Sequence, residues 1–257
     1  MTGVQKGIKI AAIVLAIFII CIIINAILSV VGYFGLSSNT KDYTDTFSNI
    51  NNIEIDLSSA SIEIRNGTEF RIEASNVSDN FKVRERNGNL YIDEDNFWLW
   101  NNNGGEIILY IPSELNELNI DTGAGETSIS DITARNLELD MGAGILEINN
   151  STFYESSIDG GTGTIDVTNS SLTDLELDCG VGDIKINGGI LGRSSISAGV
   201  GEITLNLTGG ESQYSLIVDK GLGNITINGT NFDNTTYGSG VNRIDIDGGI
   251  GNITVDF

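Results

Sequence analysis

The chain has 257 residues and a formal net charge of −22, with 32 Gly, one Pro (Pro112) and no His. Without His there can be no Ser-His-Asp triad, no Cys-His pair and no His-ligated metal. Lys6 and Lys9 precede all 35 acidic residues, so from Lys41 onward 11 basic residues face 35 acidic ones, a net −24; a field of that sign repels nucleic acid and favours cationic partners.

Residues Ile8 to Phe34 are almost wholly apolar, interrupted only by Lys9, Asn25 and Ser29. A span needs about 20 apolar residues, and the segment is longer than a signal-peptide core and lacks an evident cleavage site. It reads as one N-terminal transmembrane helix, with residues 1–36 forming a cytoplasmic stub and membrane anchor. Lys6 and Lys9 on one side and Asp42 and Asp45 on the other put the N-terminus in the cytoplasm and the rest outside the cell membrane. Residues 37–46 read as a polar linker.

Residues 47–112 read as degenerate β coils forming a cap. NIEIDLSSASIEI (Asn52 to Ile64) alternates apolar and polar residues about Ser59-Ala60-Ser61, and FRIEA, FKVRE, LYIDE and EIILYIP follow as short strands. The aromatic cluster Phe97, Trp98, Trp100 is either an exposed patch for a partner, a sugar or the membrane interface, or a hairpin packed on the flank.

Residues 113–257 repeat. Gly-x-Gly recurs at Gly123/Gly125, Gly142/Gly144, Gly161/Gly163, Gly180/Gly182 and Gly199/Gly201 in steps of 19, then at Gly221/Gly223 and Gly249/Gly251 after steps of 22 and 28. Short alternating strands flank each pair, and a third apolar column falls at Ala134, Phe153, Leu172 and Leu191. A 19-residue unit cannot bury its own face, but stacked copies can pair in parallel at about 4.8 Å and share one core. The predicted fold is therefore all-β, a single-stranded parallel β-solenoid behind one transmembrane helix. All fourteen glycines read as structural turn residues, placed where the chain reverses between two strands and where positive φ or close backbone approach excludes a Cβ. No phosphate-binding motif accompanies them.

These features together resemble a prokaryotic family of membrane-anchored proteins with β-strand repeats, grouped as candidate adhesins. The matching pieces are the N-terminal apolar span, the I-x-I strands near Ile53, the patch Phe97–Trp100, EIILYIP, and the I-D-x-G-x-G-x-I-x-I units from Ile120 on. The resemblance covers about residues 50–257. It implies a right-handed, surface-exposed β-solenoid and an adhesive or envelope-sensing role, with no catalytic residues to carry over.

Asp121, Asp140, Asp159 and Asp178 share one repeat position, which recurs at Asp219 and Asp247 after Ser197. Stacked carboxylates repel. Each either accepts a backbone N–H of its own glycine turn or shares a Ca²⁺ with its neighbours; the turn role is the simpler reading, and no other cofactor is expected. Cys21 and Cys179 lie far apart in the sequence, so no disulfide is expected, and Cys179 reads as a small filler. The sequons, among them Asn66, Asn206 and Asn252, fit chance in an Asn- and Thr-rich chain.

The C-terminal coil ends at Phe257 without a cap. Either the insertion Thr230 to Gly240 covers it or it stacks end to end on a second copy. The function expected is non-catalytic: a membrane-anchored surface protein binding an envelope component or protein partner. The alternative is an envelope-stress sensor acting through a partner in the membrane. A polysaccharide-active enzyme ranks behind both, because the acids recur as a column and form no unique pair.

Overall fold

The computed structural model describes residues 40–94, 104–233 and 235–257. The expected span Ile8 to Phe34 and the patch Phe97, Trp98, Trp100 lie outside the described residues, among which no helix is long and apolar enough to cross a membrane. Among the described residues, twenty β-strands join in one sheet wound into stacked coils, and the one helical piece is the 3₁₀ turn Glu211–Gln213.

The middle of the stack is β8 (Leu115–Ser130), β9 (Thr133–Asn149), β10 (Thr152–Asp159), β11 (Thr162–Thr173), β12 (Leu175–Leu191), β13 (Arg193–Val200) and β14 (Ile203–Leu207). All pair in parallel, mostly one 19-residue step apart. Ile120 faces Leu139, Leu139 faces Ile158, and Ile158 faces Leu177. A second column runs Ile129, Ile148, Val167, Ile186, Leu205. All these side chains are buried, and each contributes about 1.5–3 kcal/mol of apolar burial. The third column is Leu115, Ala134, Phe153, Leu172 and then Ile190 rather than Leu191. The register slips by one residue between Thr168 and Ser170, so Leu172 meets Ile190 and the expected Leu191 moves outward.

The two ends of the stack are out of sequence order. At one end β2 (Asn52–Leu57) and β3 (Ala60–Asn66) pair inward with β8 and outward with β6 (Asn89–Glu94) and β7 (Gly105–Ile111). At the other, β19 (Asn242–Ile250) and β20 (Ile253–Asp256) lie between β13 and β14 on one side and β15 (Tyr214–Leu222) and β16 (Ile225–Ile227) on the other. The C-terminal coil is thus next to last, which corrects the expectation that it ends the stack, either covered by the insertion or stacked on a second copy. The insertion covers the outermost coil instead, with β17 (Thr230–Asn231) and β18 (Thr236–Gly238) running antiparallel to β16 and β15.

The glycine corners correct a second expectation, that each pair is a turn between two strands. Gly123/Gly125, Gly142/Gly144 and Gly180/Gly182 are bends inside continuous strands, since β8, β9 and β12 each run through their Gly-x-Gly. At Gly144 φ is +151° and a Cβ would lie 1.8 Å from the carbonyl oxygen of Gly125; at Gly182 the values are +147° and 1.6 Å from Gly163. Both conformation and contact therefore demand glycine.

The last three pairs depart from the expectation differently, because their two glycines are not equivalent. Gly199, Gly249 and Gly221 still lie inside β13, β19 and β15, and only the second glycines, Gly201, Gly251 and Gly223, fall outside strands, in the bends before β14, β20 and β16. These three glycines stack on one another out of chain order. A Cβ on Gly201 would lie 1.7 Å from the carbonyl oxygen of Gly182, one on Gly251 1.6 Å from that of Gly201, and one on Gly223 1.6 Å from that of Gly251. The ladder continues across the breaks, with Gly201 N–H donating to the Ile250 carbonyl and Gly251 N–H to that of Leu222, both at 2.9 Å. Their role is therefore close backbone approach within a bent rung, and no chain reversal occurs at them. At Gly161/Gly163 the order is the opposite: Gly161 falls between β10 and β11 and Gly163 lies within β11.

The second corner of each coil uses residues that tolerate positive φ, namely Asp131 (60°), Asn150 (50°) and Asn169 (52°). Just beyond, buried serines tie coil to coil: Ile132 N–H donates to Ser151 Oγ at 3.1 Å, and Ser151 N–H donates to Ser170 Oγ at 3.0 Å.

Antiparallel strands close the opposite end as well. β5 (Phe81–Arg86) pairs with β6, and β4 (Phe70–Ser78) pairs with β7 and with β1 (Thr40–Phe47). Residues 40–46, expected as linker, are therefore strand. The coil 52–66, expected as part of a cap, is a full rung continuous with the repeats, so no boundary falls at 112.

Gly182→Ala should cost more than about 3 kcal/mol, because it adds a backbone clash to the roughly 1–2 kcal/mol of a left-handed alanine. Gly229→Ala, at φ +70° with no atom within 4 Å of the added Cβ, should cost only that smaller amount; denaturant melts of the two variants read the difference. Hydrogen exchange should find the β20 amides as protected as those of β14, since both are paired on two sides, and slower than those of β17 at the edge.

Candidate binding face

The strands before the glycine corners carry three outward rows. The row nearest the corner is, in stacking order, Asp93, Asp56, Asp121, Asp140, Asp159, Asp178, Ser197, Asp247 and Asp219. The structure brings together every aspartate the sequence singled out. It adds Asp56 and Asp93, whose I-D context in EIDL and YIDE was the available signal, and it places Asp247 before Asp219.

The next two rows are organised differently. Two residues earlier stand Glu54, Asn119, Glu138, Ser157, Glu176, Ser195 and Asp245, acids alternating with neutral residues rung by rung. In the row beyond, Asn52, Glu117, Asn136 and Glu155 alternate in the opposite phase. The acids form a checkerboard, which avoids the destabilising placement of like charges directly opposite one another on neighbouring strands. Asn119 Nδ2 reaches Glu138 Oε2 at 3.4 Å across one such step.

The aspartate row has no such relief. Asp121 stands directly between Asp56 and Asp140, and its carboxyl is pushed above the usual range, first by partial burial and then by those two charges. Asp159 accepts a hydrogen bond from the Gly161 N–H at 3.1 Å, the expected turn contact, which no other member of the row makes among the described residues. Asp93 is engaged by Arg84 of β5. No group of three or more carboxylate or thiol side chains among the described residues is arranged to hold a metal ion.

Shallow grooves between the outward side chains lie on this face. One of about 150 Å³ is lined by Asn52, Glu54, Asn89, Tyr91, Glu117 and Asn119. A second, about 180 Å³, lies among Glu117, Glu138, Glu155, Asp174 and Glu176. The third, about 200 Å³, is lined by Glu54, Asp56, Arg84, Tyr91, Ile92 and Asp93. Such a surface can attract cations and basic groups along its length. Cys179 is buried, and burial followed by Asp159 and Asp183 pushes its thiol up, which suits a filler and not a nucleophile.

The sequence missed the corner residue between the paired glycines. Ala124, Ala143, Thr162, Val181, Val200, Ile250 and Leu222 stack there as an outward row. The signal was legible as the middle letter of each Gly-x-Gly, but its order depends on the exchange of the last two coils.

Asp121→Asn should stabilise the fold by a few tenths to about 1 kcal/mol at neutral pH and low salt. Asp121 has a raised pKa in the folded state, so the native chain recovers stability as pH falls through that value, and the variant's advantage should vanish below the unfolded value of about 3.9. Thermal melts across pH 3–7 at two salt concentrations check the sign, with high salt shrinking the difference.

Three solved structures give the comparison in shape. A candidate adhesin from Bacteroides fragilis NCTC 9343 superimposes with a TM-score of 0.55 at 17% identity, covering 86% of this chain and 100% of that one. A candidate cell adhesion protein from Clostridium sporogenes ATCC 15579 gives 0.40 at 14%, covering 85% and 99%. A candidate lipid binding protein from Parabacteroides distasonis ATCC 8503 gives 0.45 at 15%, covering 84% and 96%. No curated protein matches the sequence. At these identities the Bacteroides likeness concerns the fold alone. The sequence profile of Toastrack DUF4097 matches residues 50–237, from the first inner coil through the covering insertion, and the chain belongs to that family.

Proposed function

We propose that this protein is a non-catalytic binding protein of the cell surface. Residues Ile8 to Phe34 anchor it in the membrane with the N-terminus in the cytoplasm, and the solenoid outside presents its acidic face to an envelope component or protein partner. The observation that carries the reading is the acidic face: one plane of strands bears an outward row of aspartates and two rows in which acids alternate with neutral residues, with shallow grooves between them. A repeated surface of this kind suits recognition through many weak contacts. Among the described residues its acids recur along the rows, whereas hydrolysis of a glycoside uses one dedicated carboxylate pair. The candidate adhesin from Bacteroides fragilis, which shares the fold, agrees with it. Its ligands should be cationic or carry exposed basic groups, and nucleic acid should not bind.

Two measurements test this. Protease added to intact cells should remove a C-terminal tag, and deletion of Ile8 to Phe34 should release the chain from carbonate-washed membranes; a protected tag or an unchanged membrane fraction would contradict the topology. The joint variant Asp121→Asn, Asp140→Asn, Asp178→Asn should bind isolated envelopes at least tenfold more weakly than the native chain while melting no lower. Unchanged binding would show that the acidic face is not the contact.

A further inference from the structure

The row at the glycine corner is the most unusual surface of the molecule. It grows from Ala124 and Ala143 through Thr162 to Val181, Val200, Ile250 and Leu222 on successive rungs. Val181 is 37% exposed and Leu222 58%, with Val200 and Ile250 half-buried between them. Each stands between two glycines, so no side chain shields its flanks in its own strand and the aliphatic groups project as a rib. Along a strand that alternates strictly, apolar groups go inward; here four consecutive rungs turn one outward at a corner where small or polar residues would cost nothing.

Charge brackets the rib on both sides. Three residues before it in each strand runs the aspartate row, with Asp178, Asp247 and Asp219 beside the apolar rungs. Two residues after it stand Asp183 and Glu202, both exposed, with Asp183 Oδ1 accepting from the Glu202 N–H at 2.9 Å. On the rungs of Ile250 and Leu222 the same position is Asn252 and Asn224, so the rib is an apolar line with the aspartate row along one side and two acids, Asp183 and Glu202, on the other. Rungs repeat at about 4.8 Å, while an apolar stripe on an α-helix recurs about every 3.5 residues, or roughly 5.3 Å. The two repeats differ by only about half an ångström per rung, so a helix lying along the stack keeps its stripe on the rib for four rungs.

We infer that the rib from Val181 to Leu222 docks a basic amphipathic helix of a partner protein, its apolar stripe on the aliphatic residues and its Lys and Arg residues on the aspartate row and on Asp183 and Glu202. The inference rests on the reading of this chain as a binding protein and names where and what it binds. Charge decides against the other occupants. A second copy would bring another surface of the same negative sign, and the acidic domain, net −24 from Lys41 onward, is repelled by an anionic bilayer.

The test uses the full chain in nanodiscs of neutral lipid, with empty discs as blank. It is titrated with an 18-residue synthetic helix carrying Leu along one stripe and Lys on both flanks. The comparators are a scrambled peptide of the same composition and a peptide with the same stripe flanked by Glu. The striped basic peptide should bind at least tenfold tighter than either. Val181→Ser with Leu222→Ser should lose about tenfold in affinity without lowering the melting temperature, and Leu222→Ser alone should lose part of that. Asp178→Asn with Asp247→Asn should weaken binding and flatten its salt dependence. Equal binding of striped and scrambled peptides, or indifference to the serine variants, would overturn the rib while leaving the acidic face intact as a binding surface. So would rib-dependent self-association in light scattering, or rib-dependent binding to anionic vesicles.

Discussion

The contact on which the rest of the structure depends is backbone against backbone at the glycine corner. Where Gly182 crosses Gly163, the carbonyl oxygen of one rung occupies the space that a Cβ on the next would need. That contact lets a bent strand stack on its neighbour without opening the parallel ladder. Once the corner is fixed, the period-two pattern on either arm sends Leu, Ile and Val inward on every rung. The same register then lines up everything that points outward. The aspartate row, the checkerboard beside it and the apolar rib are consequences of a packing rule that concerns glycine alone.

A stack of this kind has two open ends, and an exposed edge is a template for unwanted pairing. This chain closes both in the same way. The coil 52–66 and the coil 242–257 sit one rung in from the ends, and antiparallel strands lie over the outermost coils. The loose segments at both ends of the described fold are thereby held by partners on two sides, and the exposed edges belong to short strands such as β5, β17 and β18. The aromatic residues of the covering insertion contribute packing: Phe232 meets Tyr237 at 5.5 Å, and Tyr237 stacks on Phe257 at 6.0 Å. At the opposite end Tyr110 is flanked by Arg65 and Arg71, with guanidinium carbons 4.7 and 4.2 Å from its ring centre, cation–π contacts between a ring and two partly exposed guanidinium groups.

The acidic face shows two ways of handling charge on one sheet. In the checkerboard rows most acids have neutral neighbours above and below, so the face is strongly negative at little cost. In the aspartate row the charges are stacked on almost every rung, and the Asp121 carboxyl is pushed above its usual range, first by partial burial and then by Asp56 and Asp140. A folded chain tolerates such a row because the side chains remain solvated. That solvation keeps the charges available to a partner, which is why the row and the rib beside it carry the functional proposals.

Much of this was determined by the sequence alone. A step of 19 with paired glycines and alternating strands specifies parallel stacking, since only equivalent positions on neighbouring copies can share one core, and Leu139, Ile158 and Leu177 are buried as that logic requires. The aspartate row was legible for the same reason. Only the tertiary structure decided the order of the rungs at the two ends. Any coil with the same pattern can pair with any other, so local sequence is silent on whether 242–257 lies outside or inside 214–228, and hence on whether Gly201 meets Gly223 or Gly251. The slip that replaced Leu191 by Ile190 was equally hidden: one residue dropped from a turn leaves composition and periodicity nearly unchanged and shows only in the pairing. The order within the apolar rib follows from the exchange of the last two coils, which puts Ile250 between Val200 and Leu222.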